Sequence, residues 1–371
     1  MLADAVGDGM KLALKWLASL ALAVLFIWLS SRQWPVDQLM CRDLELTRGT
    51  LICHAAGGVW GPPLWSVRLF WLLPAFGLLV VVHFLRVWRW APLMAPLGRF
   101  DFWTLNCVGA VSFLALFVFP LRLGEFARPY LIARTGKVRK SAAFGTIAVE
   151  RVMDGLMMAL LLALVLFALP VENETAYLSL RAGASLALLV FAGAMGLLIV
   201  AWLSKRHAVR LVELTVGLFS RRFAERASGM MEAFIDGMKA MPSWRNFLGF
   251  VLGTMLYWGV NGFYFYLVAH AFGLTDVIDV AAAFAMMAAV AVGMMIPNSP
   301  ANVGSFWYFL LLPVALYPPT SEPGGPLAFA LVVWGLMLLQ YALFAGYFMV
   351  SGKVSLDSLW SLQRGENGEG Q

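Results

Sequence analysis

Long apolar runs separated by short polar stretches dominate this chain. A helix needs about 20 consecutive apolar residues to cross the hydrocarbon core of a membrane. The first run could be mistaken for a signal peptide, but no small-residue cleavage pattern follows Ser31, so we interpret it as a retained anchor. The pattern predicts six membrane spans, at 12–30, 69–85, 142–169, 182–203, 247–272 and 327–350.

Two further apolar segments are short or interrupted. One is 103–121, and the other is 280–317, which is broken at 297–304 by the sequence Pro-Asn-Ser-Pro-Ala-Asn-Val-Gly. Positive charge in short loops marks the cytoplasmic side of a membrane. Both ends of the first segment are basic and both ends of the second are acidic, so we expect two re-entrant segments that enter from opposite faces. Two ordinary short helices joined by a tight loop are the alternative. Such pairs are typical of transporters built as inverted repeats, which is the arrangement we expect here.

The distribution of charge along the loops predicts the topology. The basic stretches 122–140 and 204–245 are expected on the cytoplasmic side, together with both termini, and the acidic loops 170–181 and 273–279 outside. The fold class predicted is an all-α, polytopic integral membrane helical bundle in the cell (inner, cytoplasmic) membrane. It consists of one transmembrane domain at 1–356, with an external loop at 31–68, a cytoplasmic amphipathic segment at 204–245 and a disordered tail at 357–371.

The composition agrees with a chain surrounded by lipid. Hydrophobic residues make up 61% and charged residues 13%, whereas soluble domains carry about 45–50% apolar and about 25% charged residues. This excludes an ordinary soluble enzyme, a disordered protein and a nucleic-acid partner. The net charge of +6 is attributed to loop topology and contact with anionic head groups.

A first charged cluster lies next to segment 103–121. Arg122, Glu125 and Arg128 are spaced three apart, so Glu125 can pair with either arginine on a helix. The other arginine would keep spare donors, which suit a phosphate group, and Gly124 would allow the close approach of backbone or ligand. An interfacial ion pair whose side chains reach toward the lipid surface is the alternative.

A second charged cluster lies about two turns inside the third predicted span. It consists of Glu150, Arg151 and Asp154. Charge at membrane depth costs about 2.5–3.5 kcal/mol per residue on insertion scales, so it needs a reason. We expect a substrate-binding role, and a structural ion pair between helices is the alternative.

The break at 297–304 offers hydrogen bonds without charge. We expect Asn298, Ser299, Asn302 and Gly304 to bind substrate, while Pro297 and Pro300 interrupt the helix.

Signals for cofactors or metals are weak. None of the four histidines has a metal-ligand partner at a suitable spacing, and there is no glycine-rich phosphate loop. We therefore expect no metal and no cofactor. Cys41 and Cys53 share the outer loop, which predicts a disulfide in an oxidising compartment, and Cys107 is expected to be buried and unpaired.

Three motifs resemble those of a known family. They are Arg-Leu-Gly-Glu-Phe-Ala-Arg at 122–128, Glu-Arg-Val-Met-Asp-Gly at 150–155 and Pro-Asn-Ser-Pro-Ala-Asn-Val-Gly-Ser-Phe at 297–306. In this order they resemble the flippase-like transmembrane domain of lysylphosphatidylglycerol synthases, over roughly 10–360. The resemblance implies translocation of a lipid with a large polar head group. Ala301 stands where glycine is usual, and the loop 31–68 is unlike the family.

These features favour a flippase that is not an enzyme. The expected partners are a membrane lipid substrate, anionic head groups, and a second copy of the chain or a lipid-synthesis enzyme. One alternative is a polytopic glycosyltransferase that uses a lipid-phosphate donor, with Asp43 and Glu45 of the first outer loop as base and metal ligand. Another is an accessory scaffold of an envelope-lipid pathway.

Overall fold

The computed structural model describes residues 2–34, 36–55, 63–119, 124–204, 244–296 and 299–351, with 206–207, 209–210, 213–214, 228 and 235. The predicted tail at 357–371 lies outside the described residues, and so does most of the predicted amphipathic segment at 204–245. Three predicted site residues also lie outside them, namely Arg122, Pro297 and Asn298.

The described residues are predominantly helical, and each of the six predicted spans corresponds to a helix. The helices are α1 Leu2–Gln33, α2 Leu72–Trp88, α3 Ala91–Met94, α4 Phe102–Val118, α5 Ala127–Ala133, α6 Lys140–Val165, α7 Glu174–Leu203, α8 Trp244–Ala271, α9 Val280–Gly293, α10 Ser305–Leu311 and α11 Gly325–Val350.

Among the described residues, three helical segments are long and apolar enough to cross a membrane. They are Leu69–Met94, Glu174–Ala201 and Gly325–Val350. Three of the six predicted spans therefore meet this criterion. The other three are also helical, and one of them, α6, carries the charged cluster at its centre. Apolar helices that are shorter than a span include Trp16–Arg32 within α1, together with α4 and α9.

The loop at 31–68 contains a three-stranded antiparallel sheet, which corrects the all-α prediction. The strands are β1 Asp43–Thr47, β2 Thr50–His54 and β3 Pro63–Arg68, in the order β1-β2-β3. Arg48 and Gly49 join the first two strands, and both have positive φ, as a tight two-residue hairpin requires. Strands of five or six residues offer too few alternating positions to stand out in the sequence pattern.

A disulfide secures this sheet. Cys41, just before β1, is bonded to Cys53 in β2, with their Cα atoms 5.3 Å apart. This is the pair that the shared loop predicts. Cys107 is buried within α4.

Helices α4 and α5 form a hairpin that we call hairpin 1. The chain reverses after α4, and a Cβ added to Gly124 would lie only 2.2 Å from the backbone nitrogen of Leu116, so only glycine fits this close approach. The return limb α5 packs on α4. Beyond it, Lys137 Nζ donates a hydrogen bond to the Arg99 carbonyl at 3.4 Å, which holds the two ends of the hairpin together.

The position of the reversal in hairpin 1 differs from the prediction. The segment 103–121 was expected to enter and leave by itself, but most of it is the continuous helix α4. The return limb is instead built from the basic motif after it. A basic limb can be buried there because Arg128 meets a carboxylate on α6.

The second interrupted segment forms hairpin 2, in which α9 and α10 flank a break at 294–304. A Cβ added to Gly293 would lie 2.2 Å from the ring of Phe309, so the two limbs are in close contact. The Tyr317 hydroxyl lies 3.4 Å from Asp279 Oδ1 and donates to it, so the two ends of this hairpin also meet.

The ends of the two hairpins lie at opposite ends of the molecule. Helix α6 begins next to the ends of hairpin 1, and its 26 residues span about 39 Å. The loop after α6 then reaches the ends of hairpin 2, where the backbone N–H of Glu172 donates to the Leu316 carbonyl at 3.1 Å. The sheet lies at this same end, since Ser66 Oγ donates to Glu322 Oε1 at 2.8 Å. We call the two ends the basic end and the sheet end.

The two halves of the described chain pack reciprocally. Helix α4 of hairpin 1 packs on α11, the helix that follows hairpin 2, and α9 of hairpin 2 packs on α6, the helix that follows hairpin 1. The helices that precede the hairpins, α2 and α8, pack on each other. The 3₁₀ turn Pro300–Asn302 in the break of hairpin 2 contacts α4. The interrupted segments therefore meet in the middle of the bundle.

Candidate functional site

Arg89, just after α2, is the centre of a buried ion-pair network. Its Nη2 atom donates to Asp154 Oδ2 at 2.8 Å and to Glu150 Oε1 at 3.0 Å. All three side chains are almost completely buried. Glu150 and Asp154 are four residues apart on α6 and so lie on one face of that helix. The planar guanidinium can bind both carboxylates at once.

Two further arginines contact Glu150, and one of them is Arg151, whose Nη2 donates to Oε1. Arg128 of α5 donates from Nη1 to Glu150 Oε2 at 2.8 Å. Its guanidinium also lies over the rings of Trp90 and Phe113, 5.1 and 4.8 Å from their centroids. The network therefore ties hairpin 1 to α2 and α6.

The first charged cluster contacts α6. Glu125 was expected to pair with Arg122 or Arg128, and the pairing with Arg122 stays a prediction because Arg122 lies outside the described residues. Among the described residues, Glu125 lies 4.0 Å from Arg151 Nε, and Arg128 forms an ion pair with Glu150 of α6. Arg151 also lies 3.7 Å from Asp154. The two charged motifs, which are separate in sequence, therefore form one network.

Side chains of α8 close the network on another side. Trp258 Nε1 donates to Asp154 Oδ1 at 2.9 Å, and the Tyr257 ring lies 4.3 Å from the guanidinium carbon of Arg89. Asp154 therefore accepts hydrogen bonds from an arginine and an indole at the same time, which fixes the orientation of its side chain.

A cavity of about 140 Å³ lies next to this network, between the two hairpins. Methionines and other apolar residues of α9, with phenylalanines of α4, form much of its wall. The polar groups that line it come from α2, α6, α8, α11 and the break of hairpin 2: Arg86, Arg151, Asp154, Tyr257, Trp258, Asn261, Asn302 and Tyr341.

Arg86 is a cation in this cavity that forms no direct ion pair with a described carboxylate. Its side chain is buried, with 7% exposed, and Nη1 donates to the Tyr341 hydroxyl at 3.3 Å. Its guanidinium lies 3.8 Å from the Phe113 ring centroid, and Nε has no hydrogen-bond partner among the described residues. No described carboxylate lies within ion-pair distance of it.

The charge balance of the described site is positive. Three carboxylates, Glu125, Glu150 and Asp154, face three arginines other than Arg86, namely Arg89, Arg128 and Arg151. Arg86 adds the fourth positive charge. A buried cation without a carboxylate partner is costly, and an anion that entered the cavity would offset that cost.

The break of hairpin 2 contributes one of its predicted residues to the cavity, Asn302. Ser299 instead donates its hydroxyl to the Val303 carbonyl within the break. Gly304 has φ +80, and a Cβ added there would lie 2.8 Å from the backbone nitrogen of Ile27 on α1. Ser299 and Gly304 therefore shape the break, as does Pro300 at the start of its 3₁₀ turn.

Ala301 occupies a conformation that favours glycine. Its φ is +51 and that of Asn302 is +57, so two successive residues are left-handed. This conformation costs about 1–2 kcal/mol for an ordinary L-residue. The Ala301 carbonyl accepts a hydrogen bond from Trp334 Nε1 at 2.8 Å, which helps to hold the turn.

The sequence interpretation missed the roles of Arg86 and Arg89. Both were taken as loop charges that mark the cytoplasmic side. Their spacing of three residues, with Arg86 still inside α2, was a signal that both lie on one helix face. The carboxylate partners of Arg89 lie more than 60 residues away, and Tyr341, to which Arg86 donates, lies 255 residues away, so no local pattern could have revealed these contacts.

The acids considered for glycosyl transfer lie on β1, away from this cavity. Glu45 is hydrogen-bonded by Thr47, which lowers its pKa below the usual range, and it also lies 3.3 Å from His54 Nε2. Asp43 is exposed at the start of the strand. The described residues contain no cluster of three or more histidine, cysteine or acidic side chains suited to a metal ion.

Comparison with known proteins gives one match. The family model described as "Lysylphosphatidylglycerol synthase TM region" matches residues 61–348. Neither a curated protein nor a solved structure matches the chain significantly. The matched region includes both hairpins, the ion-pair network and the cavity. Because the model covers well over half of the sequence, this membrane protein belongs to the lysylphosphatidylglycerol synthase transmembrane-region family.

Proposed function

We propose that this protein moves a lipid with a phosphate-bearing or other polar head group between the two leaflets of a membrane. A membrane-lipid function follows from the family, and flipping is the specific activity that we infer. One observation carries the proposal: the cavity between the hairpins is lined by Arg86, a buried cation that has no carboxylate partner among the described residues.

The polar wall of the cavity fits a phosphate-bearing head group. Arg86 and Arg151 supply guanidinium donors, which bind phosphate oxygens in a bidentate manner. Asn261 and Asn302 supply neutral donors and acceptors for the rest of the head group. Head-group charge would replace the carboxylate that Arg86 lacks.

We further propose that both hairpins are re-entrant and form an inverted repeat. Hairpin 1 would enter the membrane from the basic end and hairpin 2 from the sheet end. The reciprocal packing of α4 on α11 and of α9 on α6 supports this proposal. The basic end, and with it both termini, would face the cytoplasm of a cell with an inner membrane.

Lipid transport can be tested in proteoliposomes. We expect the wild-type protein to move a head-labelled phospholipid from the inner leaflet to the outer leaflet, where dithionite can reach it. Arg86→Gln and Arg151→Gln should each lower the rate of this movement by about tenfold or more. A tenfold change in rate corresponds to about 1.4 kcal/mol. Arg122→Ala belongs in the same series, since its predicted role rests on the sequence alone. Arg99→Gln is the matched control, because Arg99 is exposed at the basic end. Equal rates for Arg86→Gln and Arg99→Gln would contradict the proposed site.

The same proteoliposome assay distinguishes lipid transport from the two alternatives, a glycosyltransferase and an accessory scaffold. We propose that the protein is not an enzyme, so Asp43→Asn should leave transport and cell phenotype unchanged. Loss of function in Asp43→Asn with transport intact would favour the glycosyltransferase instead. A wild-type protein without transport activity would favour an accessory scaffold, whose partner would be a lipid-synthesis enzyme or a second copy of this chain.

A further inference from the structure

A second concavity opens on the outside of the bundle, between α6, α7, α9 and α10. Its volume is about 320 Å³, which falls within the range of sites for small ligands. We call it the α7 groove. It extends along α7 from Ser179 to Phe191, and these 12 steps along the helix correspond to about 18 Å.

The described lining of the α7 groove is almost entirely apolar. Among the described side chains that line it, Ser179 alone is polar, and its hydroxyl already donates to the Thr175 carbonyl at 2.8 Å. Water in a cavity needs several polar partners, and this lining offers none that is unsatisfied. The groove therefore suits hydrocarbon.

Small residues keep the groove open. Gly183 and Ala187 of α7 face Ala289 and Gly293 of α9 across it. No other atom lies within 4 Å of the position that a Cβ on Gly183 would take, so space remains directly beside this residue.

Two glycines hold the large aromatic rings of the lining to the sides. The Phe191 ring lies over Gly155 of α6, where an added Cβ would be 2.4 Å away. The Phe309 ring lies over Gly293 of α9 in the same way, at 2.2 Å. Because each ring is seated on a glycine of the neighbouring helix, neither has to lie across the groove.

The groove is adjacent to the charged cavity. Met295, at the start of the break in hairpin 2, lines both of them. Helix α9 lies between them, since Val290 and Ala291 line the cavity whereas Ala289 and Val292 line the groove. At Met295 a cationic site and a hydrocarbon site are therefore neighbours, and these are the two chemistries that a lipid combines. Methionine adapts its shape readily.

We propose that the α7 groove binds a hydrocarbon chain of the same lipid whose head group occupies the Arg86 cavity. This proposal rests on the proposed function for the identity of the ligand. It goes further in assigning a tail site, and it names Gly183 and Met295 as residues that determine which chains fit. The occupant is the substrate's own chain rather than bulk lipid, because the groove adjoins the cavity at Met295.

Photo-crosslinking tests the tail site without relying on transport. The probe is a phosphatidylglycerol with a diazirine in one acyl chain, present in nanodiscs at low mole fraction. We expect crosslinks to concentrate on groove residues such as Leu186 and Val190. Gly183→Trp should fill the groove and reduce these crosslinks by about tenfold.

Gly193→Trp is the matched control. Gly193 lies on the same helix and also has nothing within 4 Å of its Cβ position, but it does not line the groove. We expect crosslinking and stability in this variant to match the wild type. Uniform labelling around α7, or equal crosslinking in both tryptophan variants, would show ordinary annular lipid and overturn the proposal.

The result is distinguishable from failure of the proposed function. Groove-specific crosslinks in a protein that does not transport lipid would leave the tail site standing and reject flipping. Transport that is unaffected by Gly183→Trp, together with uniform crosslinks, would reject the tail site and leave the proposed lipid flipping standing.

Discussion

At the residue scale, the described residues concentrate their buried ion pairs in one network, and Arg86 beside it has no described carboxylate partner. Glu150 and Asp154 were prominent in the sequence because charge inside an apolar helix is rare. What they bind was not visible, because Arg89 and Arg128 come from other helices. A buried charge requires an oppositely charged partner at hydrogen-bond distance. The sequence does not show which residue that partner is.

Removing one carboxylate from the network should be strongly destabilising. Glu150→Gln leaves Arg89 and Arg128 facing a neutral amide, and breaking a buried ion pair costs about 3–5 kcal/mol. Thermal unfolding in detergent, followed with a dye that reacts with the buried thiol of Cys107, measures the loss.

A double variant shows whether the loss is electrostatic. In Glu150→Gln the guanidinium of Arg128 has lost its carboxylate partner. Adding Arg128→Gln removes that charge and should recover part of the stability, whereas a packing defect would make the two losses of stability additive. Glu125→Gln is the control, since its carboxylate is partly exposed and 4.0 Å from Arg151; we expect a smaller loss there. A loss equal to that of Glu150→Gln would contradict this account of the network.

At the element scale, the long limbs of the two hairpins begin alike. Asp101 caps α4 by accepting a hydrogen bond from the Thr104 backbone N–H at 2.9 Å, and Asp279 caps α9 by accepting one from Ala282 at 2.7 Å. A carboxylate at this position satisfies an N–H that would otherwise lack a partner. The apolar runs alone located both segments, because period and length are local properties, but the first segment was expected to hold a whole hairpin rather than the single helix α4. The direction in which each return limb folds back depended on close contacts at Gly124 and Gly293.

Loss of the α4 cap should destabilise hairpin 1. Asp101→Ala removes both bonds to Thr104, and cap deletions cost about 1 kcal/mol. The hydrogen bonds from Thr104 lower the pKa of Asp101, so its contribution is present above the ordinary aspartate pKa and is lost as the pH falls through the lowered value. The difference in stability between wild type and Asp101→Ala should therefore shrink toward acid pH. A difference that is constant from pH 7 down to strongly acidic conditions would show that the cap plays no part.

At the scale of the whole molecule, the arrangement of the two hairpins makes a prediction about topology. If both are re-entrant, the ends of hairpin 1 should be accessible from one face of the membrane and the ends of hairpin 2 from the other. Single cysteines in a Cys107→Ala background at Asp101 and Thr135 should react with an impermeant maleimide from the same side. Cysteines at Asp276 and Ser321 should react from the opposite side. All four positions are exposed.

The controls for this experiment come from the same chain. Glu174, in the first turn of α7 at the sheet end, should be labelled together with Asp276 and Ser321. Labelling of Asp101 and Thr135 from opposite faces would reject re-entrance of hairpin 1. The disulfide partners Cys41 and Cys53 stay in place and do not react with maleimide while bonded.

The sequence by itself determined the membrane class, the positions of the helices, the two interruptions and the charged residues of α6. These follow from composition, period and the cost of charge in lipid, all of which are local or additive along the chain. The tertiary structure alone joined Arg89, Arg128 and Glu150, and placed Arg86 and Asn302 at one cavity. It also revealed the sheet and the α7 groove. Such features depend on which surfaces of distant helices meet, and that is set by close packing at a few small residues rather than by any pattern along the chain.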